Sequence, residues 1–203
     1  MKKIKILLMF VFSIIIFTSC ISSKDFDKKQ QELYEDSINV NIEIQNYGTM
    51  ELELYPNLAP ITVDNFVSLV KSGFYNGSSF NRIISGFMIQ GGAPSGNVSG
   101  GSGKTIKGEF KANGVSNPLK HERGVISMAR RGGTDYDSAS SQFFIVHKTY
   151  PSLDGHYAAF GRVTKGIEIV DKICKDTKVE DSNGTVLKEN HPIITRIYLK
   201  EGN

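Results

Sequence analysis

Between positions 80 and 92 an arginine, a Phe-Met pair and a glutamine follow one another closely: Arg82, Phe87, Met88 and Gln90. A guanidinium stays charged and presents its donors in a fixed fork. Beside apolar walls that exclude water, such donors are at their most effective on a reacting group. Further along lie Ala129 and Arg130, then Gln142, Phe144, Leu153 and Tyr157. Taken singly, each has a plainer reading. Phe87, Met88 and Phe144 suit a hydrophobic core, where large apolar residues usually sit. Arg82 suits a surface ion pair, and Gln142 suits a turn cap.

Other chemistries find little support. The stretch Gly101-Ser102-Gly103-Lys104-Thr105 ends like a phosphate-binding loop, but Val98 stands where that pattern needs glycine. Small polar residues precede it instead of a buried strand, so no helix N-terminus is set up to receive phosphate. His121, His147, His156 and His191 lack the spacing of a metal site. No G-x-S-x-G elbow is present. No metal or cofactor is expected. Arg130-Arg131 is a short basic pair of the kind found in solvated loops.

The elements that must position these residues follow from apolar periodicity. Ile38, Val40, Ile42 and Ile44 alternate with polar residues, and so do Met50, Leu52 and Leu54 beyond a turn at 46–49, predicting a hairpin. Pro60 opens a helix, and Val63, Phe66, Val67 and Val70 form its stripe before Ser72-Gly73. Short apolar runs at 80–84, 87–90, 124–128, 142–146, 158–163 and 193–199 read as strands, with a second short helix near 165–175. Twenty glycines against six prolines fit many turns. Mainly β, with two helices free to plug the ends, the pattern suggests a closed antiparallel barrel, although a sandwich fits the periodicity equally.

The N-terminus is built differently. Lys2, Lys3 and Lys5 precede an apolar stretch at 6–17, too short to span a hydrocarbon core of about 20 residues. Thr18-Ser19-Cys20 follows and resembles the lipobox of bacterial lipoproteins, with Phe17 where an aliphatic residue is usual. That resemblance implies cleavage before Cys20 and its acylation; the alternative is an ordinary secretory leader with an incidental cysteine. The expected organisation is a signal peptide at 1–19, a lipidated Cys20 with a charged tether to 37, and one domain at 38–203. Extended, residues 21–37 would reach roughly 55–60 Å. Without its three leader lysines the chain loses its formal charge of +3, so basicity argues for no nucleic-acid partner. Cys174 is then the single remaining cysteine, a half-buried structural thiol with no disulfide partner.

Read together and in order, the run Phe80-Asn81-Arg82-Ile83-Ile84-Ser85-Gly86-Phe87-Met88-Ile89-Gln90-Gly91-Gly92, then Ser141-Gln142-Phe143-Phe144-Ile145 and Leu153-Asp154-Gly155, closely resembles the cyclophilin family. The resemblance runs from about Ile38 to Leu199. It implies a closed eight-stranded antiparallel β-barrel capped by two α-helices, with an active groove on the outside. It implies peptidyl-prolyl cis/trans isomerase activity, with Arg82 as the catalytic arginine. Phe87, Met88, Phe144 and Leu153 match the walls of the proline pocket. Gln90 and Gln142 match residues that hold the substrate backbone and the arginine, and Ala129 and Arg130 match positions whose main chain pairs with the peptide.

Several positions depart from the family pattern. Asn81 replaces a common histidine, Ser85 a common proline, and Ser152 a tryptophan that helps hold cyclosporin, so weak inhibition by that drug is expected. Tyr157 stands where well-known members carry a pocket histidine, and Arg131 with a long stretch at 132–140 should alter preference beside proline. The expected function is isomerisation of X-Pro bonds in exported proteins, by a monomer held through Cys20 on a bacterial membrane and facing the periplasm or the exterior. Its partners would be proline-containing peptides and unfolded exported chains. The alternative is a low-turnover surface lipoprotein that binds proline-containing partners. An uncatalysed X-Pro bond turns over in roughly 10–100 s, slow enough to limit folding.

Overall fold

A computed structural model describes residues 28, 31–94 and 100–200 of the chain. The leader and Cys20 lie outside the described residues, as does most of the tether. Among the described residues, from 38 onward, eight strands and two α-helices follow in the order β1 (Ile38–Ile44), β2 (Gly48–Leu54), α1 (Pro60–Lys71), β3 (Ser79–Ile84), β4 (Met88–Ala93), β5 (Val125–Met128), β6 (Phe143–Val146), β7 (Ala159–Lys165), α2 (Glu168–Asp176) and β8 (Ile194–Leu199).

The first hairpin forms where alternation placed it, with Ile38 opposite Leu54 and Ile42 opposite Met50. Asn46 takes the left-handed conformation at φ 67° in its turn, a conformation asparagine tolerates better than most residues. All the pairings are antiparallel, in the order β3-β4-β6-β5-β7-β2-β1-β8.

The expectation of a closed barrel needs correction. The sheet is an open, strongly curled one whose edges are β3 and β8. These edges meet at one isolated bridge, Ser79 to Ile193, flanked by the Phe80 N–H to Pro192 carbonyl bond of 3.0 Å. Farther along β3 the loop before β8 covers the edge. The Ile83 N–H donates to the Gly184 carbonyl at 2.8 Å, the Val186 N–H donates to the Asn81 carbonyl, and Arg82 bridges Thr185. A loop at 181–186 therefore stands where closure would need a strand. Period-two alternation reports which residues face inward; it does not report what pairs with an edge.

Helix α1 buries Thr62, Val63, Phe66 and Val70. Ala59 offers its N-terminus no side-chain cap, and the buried Glu109 carboxylate does so from a distant loop. It accepts the Thr62 N–H at 2.8 Å, the Thr62 hydroxyl at 2.7 Å and the Ile61 N–H at 3.1 Å. The two amides are donors that a helix start leaves unpaired, and a carboxylate there also meets the positive end of the helix dipole. Phe66 drives into the curl, with ring centroids 5.1 Å from Tyr75, 5.5 Å from Phe143 and 5.2 Å from Phe160. Helix α2 adds Ile169, Val170 and Ile173 to the same core, with Cys174 packed at its margin. Burial pushes the free Cys174 thiol up to about 11, so it stays protonated at neutral pH.

Strands β5 and β6 are buried at every residue because both faces of the sheet are covered there. Ile126, Met128, Phe143 and Ile145 point into the inner core, while Val125, Phe144 and Val146 belong to a second apolar cluster on the outer face. Met88, Leu153, Tyr55 and Leu58 join that outer cluster, and Leu33 packs against it from before β1. Asn57 also donates to the Glu32 carbonyl at 2.9 Å, and Tyr34 meets Tyr55 edge-on at 4.9 Å.

Candidate active site

Arg82 reaches the outer face through an irregularity in β3. Phe80 pairs with Gly91 and Arg82 with Gln90, leaving Asn81 as an extra residue between them. That is a β-bulge, which re-aims the side chains after it. Phe80 points into the inner core, and two residues later Arg82 lines the outer groove. Regular alternation would have sent both to the same face.

Once outside, Arg82 is held at two of its nitrogens. Its Nε–H donates to the Asn183 carbonyl at 2.8 Å, and Nη1 donates to Gln90 Oε1 at 3.3 Å. Gln90 Nε2 donates in turn to Gln142 Oε1 at 2.9 Å, and Gln142 Nε2 to the Gly100 carbonyl at 2.7 Å. Nη2 has no protein acceptor among the described residues. Burial pulls the Arg82 guanidinium below its ordinary value, while Tyr157 and Asp181 act in the opposite direction. A guanidinium remains charged under any such shift.

The loop that supplies the Asn183 carbonyl is itself fixed. Asp181 accepts the Thr185 N–H and the Thr185 hydroxyl, both at 3.0 Å. Those donors, with the Thr185 amide foremost, hold its carboxyl below the usual range. Gly184 sits at φ 79°, where a Cβ would collide with the Ile83 carbonyl oxygen. None of these residues was singled out in the sequence, although Asp-Ser-Asn-Gly-Thr is a turn signature.

A cavity of about 180 Å³ opens beside Arg82. Phe87, Met88, Phe144 and Leu153 give it apolar walls, Gln90 and Ala129 border it, and Arg130 and Tyr157 close one side. Gln142 is not a wall; it stands behind Gln90. Nine of the ten site residues expected from the sequence line this groove, and Gln142 reaches it only through Gln90. Phe87 is presented by a turn in which its N–H donates to the Ile84 carbonyl at 2.9 Å, while His147 Nδ1 accepts the Gly86 N–H at 2.8 Å. Ser152, by contrast, is exposed in the short 3-10 turn Pro151–Leu153 and does not line the groove.

Beneath the apolar wall lies a buried polar chain that sequence reading missed. His121 contacts Ser127 Oγ through Nε2 at 3.1 Å and Asp154 Oδ1 through Nδ1 at 3.0 Å. Its ring stacks at 6.0 Å on Phe144, whose other neighbour is Tyr157, edge-on at 5.7 Å. Burial lowers the His121 ring from its ordinary value. Burial pushes Asp154 up, but the His121 backbone N–H, its ring and Lys120 together bring that carboxyl below its ordinary value. Ser127 is fully buried, so this trio supports the pocket floor and offers no nucleophile.

A donor-bearing cation beside a small apolar pocket suits a reaction that turns the substrate about one bond and makes or breaks none. Comparison with known proteins agrees. Residues 39–197 match the family described as cyclophilin type peptidyl-prolyl cis-trans isomerase/CLD. Peptidyl-prolyl cis-trans isomerase B of Bacillus subtilis is 44% identical over 146 residues, covering 72% of this chain and 92% of that protein. A peptidyl-prolyl cis-trans isomerase of Helicobacter pylori is 42% identical over 159 residues, covering 77% and 92%. Among solved structures, a cyclophilin type isomerase of Cryptosporidium parvum superposes with a TM-score of 0.71 at 31% identity, covering 82% of this chain and 99% of that one. The same parasite enzyme has been crystallised in the presence of the dipeptide Ala-Pro, with a TM-score of 0.70. The chain belongs to the cyclophilin family and is a peptidyl-prolyl cis-trans isomerase.

Proposed function

We propose, from the premise that the chain is a cyclophilin-type isomerase, that it binds proline-containing segments of exported, incompletely folded proteins and turns their X-Pro bonds at a membrane surface. The observation that carries this reading is Arg82, fixed at Nε and Nη1 beside an apolar cavity, with Nη2 unclaimed among the described residues.

The chemistry follows from the amide. Resonance gives the C–N bond its barrier of about 18–20 kcal/mol. As the bond twists, the proline nitrogen loses conjugation, becomes pyramidal and gains a lone pair. A guanidinium N–H aimed at that nitrogen stabilises the twisted state more than either planar one, which is what acceleration requires. Phe87, Met88, Phe144 and Leu153 would hold the pyrrolidine ring and exclude water, while Gln90 and Gln142 keep the guanidinium from swinging. The main chain of Ala129 and Arg130 would pair with the peptide. Tyr157 packs its ring on Phe144 where it would border the proline.

For the cellular setting, the charged leader, the apolar stretch at 6–17 and Thr18-Ser19-Cys20 support acylation of Cys20 and tethering on the outer side of a bacterial membrane. Cys20→Ser should move the protein from the membrane to the soluble fraction of cells; unchanged partition would remove the lipid anchor from the proposal.

The isomerase reading is tested by NMR exchange spectroscopy on a short Ala-Pro peptide, with Arg82→Ala in parallel. Removing a preorganised donor costs roughly 10²–10³ in rate, so exchange should collapse in the variant while the peptide still binds. Binding without accelerated exchange by the unmodified protein would instead favour the low-turnover binding reading, for which Tyr157 and Ser152 are the motive.

A further inference from the structure

Among the described residues the groove is lined by two arginines and no carboxylate. Asp154, beside the lining residue Leu153, and Asp181, in the loop that holds Arg82, are engaged by His121 with Lys120 and by Thr185. Neither Arg82 nor Arg130 makes an ion pair among the described residues. Their neighbour Arg131 does, with Asp135 at 2.7 Å.

Arg130 is immobilised entirely by neutral groups. Its guanidinium carbon lies 5.3 Å from the ring centre of Phe110, 5.2 Å from Tyr136 and 4.8 Å from Tyr157. Nε donates to the His156 carbonyl at 2.9 Å, and Nη1 to the carbonyls of Arg131 at 2.8 Å and Gly133 at 3.1 Å. Aromatic faces and carbonyl dipoles fix a cation in place without cancelling its charge. Nη2 keeps two N–H donors without a protein acceptor among the described residues. A long, flexible side chain normally gives up rotamer freedom when it pairs; here that freedom is already spent within the protein. A fixed, uncompensated guanidinium on a groove wall is what pairs with a carboxylate, through hydrogen bonds stronger than those to neutral groups.

We infer that Arg130 makes this isomerase prefer X-Pro segments carrying an acidic side chain immediately before or after the proline. The inference rests on the proposal that the groove binds such segments. The same geometry explains why the stretch at 132–140 matters: it places Tyr136 and the Gly133 carbonyl on Arg130, and the Arg131 N–H to Ser138 hydroxyl bond of 3.0 Å holds that stretch closed.

The test uses the full chain and four short peptides, with Glu or Gln immediately before proline and Glu or Gln immediately after it. NMR exchange gives kcat/KM and chemical-shift titration gives Kd for each. At low ionic strength Glu should exceed Gln by about two- to fivefold at one position or both, the range of a partly exposed ion pair. Salt should shrink the ratio. Arg130→Gln should bring it to about one, and Arg130→Lys, which keeps charge but loses the fork, should retain part of it. A Glu-to-Gln ratio near one in the unmodified protein overturns the inference. So does a ratio that Arg130→Gln leaves intact, which would assign the preference to Arg82. If no peptide is isomerised, the isomerase reading fails separately, and the Kd ratios still decide whether Arg130 selects acidic segments.

Discussion

Phe143 and Phe144 are neighbours in sequence, and both are almost fully buried, yet they serve different regions. Phe143 lies inside the curl among Phe66, Tyr75 and Phe80, an aromatic cluster in which the one hydroxyl, that of Tyr75, is bonded to the Ser141 carbonyl at 2.9 Å. Phe144 lies outside, wedged between the buried His121 ring and Tyr157 on the wall of the groove. Burial does not separate the structural face from the working one. Polar surroundings do: the inner core is nearly free of titratable groups, whereas the outer cluster is threaded by Arg82, Gln90, Gln142, His121 and Asp154, each bonded to a named partner. A sheet with two apolar faces can stake its stability on one and mould the other around a ligand.

Four changes would break or sharpen that division. Phe66→Ala, on the inner face, should cost about 3–5 kcal/mol of stability in denaturant unfolding, while the folded fraction keeps its kcat. A comparable loss of kcat per folded molecule would mean the two faces are mechanically one. Gly184→Ala forces a side chain into a left-handed position against Ile83; strain of about 1–3 kcal/mol is expected. Because the loop orients Arg82, kcat should fall about tenfold, the rate equivalent of 1.4 kcal/mol, with KM little changed. A purely structural loop would lower stability alone. Phe87→Ala, on the outer face, should act the other way. KM should rise by up to about tenfold, as when an apolar contact worth 1–3 kcal/mol is removed, and the midpoint of thermal unfolding should barely move.

The smallest effect concerns pH. Burial makes the His121 ring harder to protonate in the fold than in the unfolded chain, so its lowered value favours the unfolded chain as pH falls below its ordinary 6.5. Stability should therefore be steady above that pH and decline below it, by at most about 1.4 kcal/mol per pH unit from this one group. His121→Gln should flatten the decline, and an unchanged slope would place the acid sensitivity elsewhere.

The divided sheet also explains what the sequence could and could not say. The β1–β2 hairpin and α1 are legible because each has one apolar face, so Val40, Ile42, Met50, Phe66 and Val70 mark it by period. Strands β5 and β6 are apolar at nearly every position, and periodicity could find them but not assign their faces. The groove residues were legible as a set through family resemblance, since Phe87, Met88 and Phe144 are indistinguishable by type from core. The bulge at Asn81, the turn at 181–185 and the His121 chain were not, because each depends on which segments meet across the fold. The open seam escaped for the same reason: nothing in the spacing of β3 or β8 reveals that residues 181–186 would cover the edge.

That seam ties two properties together. The backbone bonds that fasten the 181–186 loop to β3, from Ile83 to Gly184 and from Val186 to Asn81, belong to the same contact that presents the Asn183 carbonyl to Arg82. Opening the sheet at its edge and unseating the guanidinium are therefore one motion. The amide protons of Ile83 and Val186 should exchange with solvent in step with loss of turnover on warming, well before the amides of Ile42 or Ile145, so that isotope exchange at the seam acts as a thermometer for the groove.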